Sequence, residues 1–449
     1  MDSGSTVSWK TSLETRMGRF ESVPCLFCFL CFPGFLSYIT GMATVYFARW
    51  MLLDTGEILE NGALSVEGNR ISSAGHRSRV KRTSDDRLVN LGDSLLLPGF
   101  INMHTHLEEC AVRGSVKSAD ETFAAFTAKK NSRVRQAGED RIIAGIRLQV
   151  RELLADGTTT ILDSSSLGYS SPVLAKEPVR AWVVHEAHAD DPSLDEAVAG
   201  ELRKKVADDP VRVGRAIGPH ALYSLTPASQ RRIIETAAHE KWLWASHVAE
   251  SAEELQAFSE RRGDLYFYIT RKKPWPFGET TMGSMNAALT ANLIPNGGIC
   301  FHCNYASSHE LSLLAAKRAT VVHCFRYSEE IGHKRFPLEV ALNRRVHFCL
   351  GTEGIAPAGG MDLLDELFAL KCAYPHIGAS EMLQWITRNP ANALKMGDAL
   401  GSLAPGKLAD LIAVRFTHDP KENILEELIL ADVEMALVMV DGQEVIADY

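Results

Sequence analysis

The 449-residue sequence lacks a basic surplus, a long apolar run and a paired cysteine framework. Lys and Arg total 47 against 56 Asp and Glu, a formal net charge of -9, which argues against a nucleic-acid or anionic-membrane partner. The basic runs Lys129-Lys130, Arg271-Lys272-Lys273 and Arg344-Arg345 are short and scattered, as on a solvated face. The most apolar stretch, Cys25–Phe32, is too short to span a bilayer, and Pro33-Gly34 follows it. Nine cysteines fit no disulfide pattern. Cys349 and Cys324 fall in or at the end of strand-like runs, where a buried free thiol is the default. That usage points to a reducing, cytoplasmic setting.

What is present is a composition of 46% hydrophobic and 23% charged residues, that of a globular protein large enough for a barrel and a satellite domain. Residues 1–41 read as an extension ahead of the folded body, either upstream of a misassigned start or a tether, because well-patterned strand begins only after Met42. Short strands and turns fill 42–97, and similar runs return in 396–449, where Asp441-Gly442 between two apolar stretches is a hairpin signal. Both termini are therefore expected to build one small composite β-sandwich domain.

Between them, over 98–395, strand-length apolar runs alternate with helix-like stretches about eight times. The runs are Leu95–Met103, Thr158–Asp163, Val179–Glu186, Val211–Pro219, Leu243–His247, Gly298–His302, Thr320–Cys324 and Val346–Gly351. Eight strand–helix units predict an α/β fold, a closed (β/α)8 TIM barrel with its active site at the C-terminal strand ends. His104, His106, His247, His302 and His323 all lie at such ends. His104 and His106, two apart in a strand, share a face and can hold one metal ion as neutral imidazoles.

Several segments carry a recognisable pattern: Leu97–Glu108 with its His-Thr-His, Gly157–Thr160, Gly218–Ser224, Ser246–Glu250, Asn389-Pro390-Ala391 and Gly401–Leu411. Together they resemble the amidohydrolase superfamily, in its deaminase and chlorohydrolase branch. The resemblance implies that His104, His106 and His247 ligate one divalent metal, zinc first and iron as the alternative. It implies that Glu250 shuttles a proton, that His302 orients the attacking water and that His220, Glu108 and Arg113 contact substrate. No lysine ends the fourth strand, which favours one metal over two. Two departures stand out. Cys324 is followed by Phe325 rather than proline, and Glu353 occupies the branch's aspartate position as metal ligand and base.

The implied activity is metal-dependent release of ammonia from a heterocycle. The stretch Phe301–Tyr305 looks most like adenosine-type deaminases. Hydrolysis of another C–N or C–Cl bond, and a catalytically impaired metabolite-binding barrel, remain the alternatives. The expected partner is a small molecule, with no nucleic acid or membrane; homo-oligomerisation is left open.

Overall fold

The computed structural model describes residues 42–449 except 115–116, 119, 189–196, 208, 210–212, 272–273, 278–281, 355–359 and 421–422. Residues 1–41, with the Cys25–Phe32 run, lie outside the described residues.

Five strands come first: β1 (Thr44–Leu52), β2 (Ile58–Glu67), β3 (Arg70–His76), β4 (Arg87–Asn90) and β5 (Ser94–Pro98). Eight more carry the middle of the chain: β6 (Phe100–Thr105), β7 (Thr158–Ser165), β8 (Arg180–Ala187), β9 (Gly214–Pro219), β10 (Leu243–Val248), β11 (Ile299–His302), β12 (Thr320–His323) and β13 (His347–Leu350). The chain ends in β14 (Leu411–Phe416), β15 (Val433–Val440) and β16 (Gln443–Ala447).

The first five and last three strands form one mixed sheet in the order β16-β15-β14-β5-β1-β2-β3, with β4 beside β1. The composite β domain is thus built by both termini. Its final turn follows from sequence chemistry: Asp441 and Gly442 have φ of 52° and 78°, the left-handed pair that a two-residue hairpin needs.

The expected run Leu95–Met103 is not one strand. Its first half is β5, paired antiparallel with β14, and its second half is β6 of the barrel. The chain changes sheets at Gly99, where a Cβ would sit 2.2 Å from Thr159 Oγ1. Only glycine fits that crossing.

β6 to β13 pair in sequence order, each parallel to the next. Successive residues face opposite layers. Ile161, Val183, Cys300, Val321 and Phe348 join the core under the helices. Leu162, Val184, Phe301, Val322 and Cys349 fill a second buried cluster fed by all eight strands, with Ala391, Leu394 and Leu400 packed against them. The ring closes between β6 and the segment after β13. Thr105 and Glu353 form a parallel bridge, and the amides of Thr352 and Glu353 both donate to the His104 carbonyl at 3.0 Å. Gly351 makes this possible, since a Cβ there would lie 2.6 Å from the His104 Cβ.

Several helices start where the sequence offers a side-chain cap. Thr226 accepts from Ser229 N with Pro227 opening the helix Pro227–Glu240, and Ser307 with Glu310 forms a capping box. Among the described residues, no helix is long and apolar enough to cross a membrane.

Candidate active site

At the C-terminal mouth of the barrel, β6, β10 and the segment after β13 bring four buried donors together. One ligand atom each from His104, His106, His247 and Glu353 lies within 4.8 Å of the others. His106 Nε2 is 3.3 Å from His247 Nε2. The Glu353 carboxylate reaches His104 Nε2 at 2.6 Å with Oε2 and His106 Nε2 at 3.4 Å with Oε1. Burial, reinforced by the neighbouring His247, holds His104 well below the usual histidine range. Burial also takes His106 and His302 down to about 3. These rings are therefore neutral lone-pair donors at ordinary pH.

The framework around the donors is specific. His247 Nδ1 donates to the His220 carbonyl at 2.6 Å, which fixes the tautomer and leaves Nε2 for the site. Asp163 on β7 accepts from Thr105 Oγ1 at 2.7 Å and from Leu107 N at 2.9 Å, clamping both flanks of His106. The His104 ring stacks on Phe301 at 3.7 Å between centroids. Glu353 has φ of 61°, a left-handed kink that aims its side chain back across the seam.

His302 and Cys303 are likewise left-handed, with φ of 67° and 55°. The kink after β11 sets His302 Nε2 3.6 Å from Glu353 Oε2 and 3.8 Å from Glu250 Oε1. Glu250 follows β10, where the Glu254 carboxylate receives the amides of Ala249 and Glu250 at 3.1 and 2.9 Å. Burial alone would raise the Glu250 pKa, but His302, His333 and His247 outweigh it and hold the carboxyl well below its ordinary range. For His220, burial acts downward, and the Glu186 carboxylate at 3.1 Å from Nδ1 carries it above the ordinary value.

Two sequence-named residues are engaged elsewhere. The Glu108 carboxylate accepts four hydrogen bonds from the end of β7 and the loop after it: Ser165 Oγ and Tyr169 N on one oxygen, Ser166 N and Leu167 N on the other. Its carboxylate organises that loop rather than the donor cluster. Arg113 pairs with Glu152 and donates to Gln149 at 3.2 Å. His323 stays under the site, its Nδ1 3.3 Å from the His302 carbonyl.

Sequence reasoning missed others. Glu186, at the end of an apolar run just as the histidines are, orients His220 and accepts from Ser166 Oγ at 2.6 Å. The Tyr327 hydroxyl donates to Glu250 Oε1 at 3.3 Å, and His333 Nε2 lies 3.7 Å from the same oxygen. Both come from the β12–β13 connection, Tyr327 from the helix Phe325–Ile331 that starts after Cys324 and His333 from just beyond its end. A buried pair, Lys130 Nζ to Glu109 Oε1 at 2.7 Å, adds charge beside Glu353.

Neutral imidazoles and carboxylates converging at the C-terminal mouth of a parallel barrel define a barrel enzyme with a candidate cation centre. The chain belongs to the Amidohydrolase family, whose profile matches residues 95–445. It is 26% identical over 409 residues to a 5-methylthioadenosine/S-adenosylhomocysteine deaminase of Syntrophobacter fumaroxidans, covering 85% of this chain and 88% of the relative. In fold it is similar to a zinc-bound adenosine deaminase of Xanthomonas campestris, with TM-score 0.76, 23% identity and 91% and 93% of the two chains covered. It is also similar to the Helicobacter pylori aminofutalosine deaminase in complex with methylthio-coformycin, with TM-score 0.76, 21% identity and coverage of 90% and 100%.

Proposed function

We propose that this protein is a cation-dependent aminohydrolase that releases ammonia from an adenine-nucleoside-type heterocycle. The carrying observation is the buried set His104, His106, His247 and Glu353 with Glu250 and His302 facing it. The deaminase names of relatives that cover 85% and 79% of this chain support the substrate class.

The residues fit a divalent ion. His104 Nε2 and Glu353 Oε2 are buried and close, yet neither makes a hydrogen bond among the described residues. Such orphaned atoms cost free energy unless something satisfies them. Three imidazoles and a carboxylate suit zinc, with iron as the alternative. When bound, the cation supplies Lewis acidity, which brings the pKa of a coordinated water toward about 7.

The rest belongs to the side chains. Glu353 takes a proton from the attacking water. His302, between Glu353 and Glu250, orients that water. Glu250, in its carboxylic-acid form, delivers a proton to the ring nitrogen next to the attacked carbon; the proton held by Glu353 then passes to the amino group, which leaves as ammonia, while the new hydroxyl returns its proton to Glu250. Tyr327 and His333 hold the Glu250 carboxylate in place. His220, oriented by Glu186, faces the substrate through Nε2. The reach of Glu353 to His104 and His106 counts against a barrel impaired by its extra methylene.

Purified protein of measured metal content, assayed for ammonia release against adenine nucleosides, guanine and other amino-heterocycles, tests this reading. Turnover on an adenine nucleoside is expected. Silence across the panel with about one metal per chain would refute it.

A further inference from the structure

The donors form two overlapping groups rather than one. Beside His104, His106, His247 and Glu353 stands a second buried set, His302, Cys324 and Glu353, whose ligand atoms also lie within 4.8 Å of one another. All three are nearly or wholly inaccessible to solvent. Among the described residues, both His302 ring nitrogens and Glu353 Oε2 are buried without a hydrogen-bond partner. Cys324 is a free thiol at the end of β12, at the start of the helix Phe325–Ile331. Glu353 is common to both groups, its Oε2 2.6 Å from His104 Nε2 and 3.6 Å from His302 Nε2.

We propose that His302, Cys324 and Glu353 form a second, thiolate-containing cation site, bridged to the first by the Glu353 carboxylate, whose occupation inhibits the enzyme. Imidazole, thiolate and carboxylate together select a borderline-soft divalent ion such as zinc, cobalt or cadmium. Binding forms a metal–sulfur bond and releases the Cys324 thiol proton to solvent, with no redox change. The length of glutamate matters here, because one carboxylate has to serve both His104 and His302. An ion held by His302 removes that ring from water orientation, so the same event that fills the site stops turnover. The inference rests on the reading of His104, His106, His247 and Glu353 as the primary centre.

The full-length protein carrying one equivalent of zinc is titrated with cobalt(II). Zinc outranks cobalt for a given site, so the primary centre keeps its ion. The expected result is a further equivalent of cobalt that brings a thiolate-to-cobalt charge-transfer band, with turnover falling in step. In Cys324→Ser, and independently in Cys324→Ala, the band disappears and the ratio of turnover with cobalt to turnover without it rises at least tenfold. Far-ultraviolet circular dichroism checks that both variants fold. Absence of the band in the wild type, or its persistence in both variants, overturns the second site while leaving the first intact. Protein that retains no zinc at all refutes the primary centre, and the second site with it.

Discussion

Replacing Glu353 with aspartate removes one methylene from the residue that closes the barrel seam. Simple retreat or advance of the backbone cannot compensate. The amides of Thr352 and Glu353 are both tied to the His104 carbonyl at 3.0 Å, and a Cβ at Gly351 would lie 2.6 Å from the His104 Cβ, so the backbone there passes close to His104. The φ of 61° at Glu353 leaves little freedom to re-aim a shorter side chain. The carboxylate therefore withdraws by about one carbon–carbon bond, ~1.5 Å. The contact with His104 Nε2, now 2.6 Å, opens toward ~4 Å. A misplacement of about 1 Å costs roughly 100-fold in rate. That corresponds to about 2.7 kcal/mol of barrier. The lower intrinsic pKa of aspartate, by about 0.4 unit, is too small to offset it. Glu353→Asp should thus lose about two orders of magnitude in kcat for ammonia release, with weaker metal retention by elemental analysis. Turnover at or above the wild-type level, with full metal, would show that the pocket is not built around glutamate.

His247→Ala should lose metal and activity together, because His247 Nε2 faces His106 Nε2 at 3.3 Å in the donor set; stoichiometric metal in the variant would sink the ligand assignment. Burial lifts the Glu366 pKa from 4.5 to about 7, although Arg326 opposes it. The folded state then keeps a proton that the unfolded chain has released, so this group's contribution to stability falls as pH rises from about 4.5 to 7, by roughly 3 kcal/mol. Urea unfolding should show the difference between Glu366→Gln and wild type moving in the variant's favour across that window, and a flat difference would refute it. A Cβ on Gly218 would lie 1.7 Å from the Ala245 carbonyl oxygen, so Gly218→Ala should cost roughly 3 kcal/mol or more. Gly378→Ala, with nothing within 4 Å, should stay within about 0.5 kcal/mol. Equal urea midpoints for the two would contradict the packing argument.

The barrel was legible because parallel strands buried on both faces read as continuous apolar runs, and the intervening helices carry their own period. β7, β8 and β10 lie where Thr158–Asp163, Val179–Glu186 and Leu243–His247 predict them, to within a few residues. Where two strands join without a polar break, the pattern fails. Leu95–Met103 is apolar across Gly99, so sequence alone hid the change of sheet. β4, four residues with only Val89 buried, is too short to have a period. In the site, the histidines announced themselves by position at strand ends. Their supports did not. Glu186 acquires meaning only when the strand order sets it beside His220, and Tyr327 and His333 reach Glu250 from more than one connection away. Glu108 reads as a pocket residue from its closeness to His106, whereas its hydrogen bonds spend it on the loop after β7.

The seam at His104 and Glu353 ties assembly of the cylinder to its chemistry. Its first and last staves meet through the residues proposed to grip the cation, so a bound ion acts as a clasp on a hoop of about 250 residues. Emptying the clasp would not loosen the molecule evenly. It would open the hoop at one joint, and the Thr352 and Glu353 amides, which hydrogen-bond across that joint, would be among the first to exchange with solvent deuterium. Amide exchange at two positions would then report occupancy of the reaction centre without any substrate present.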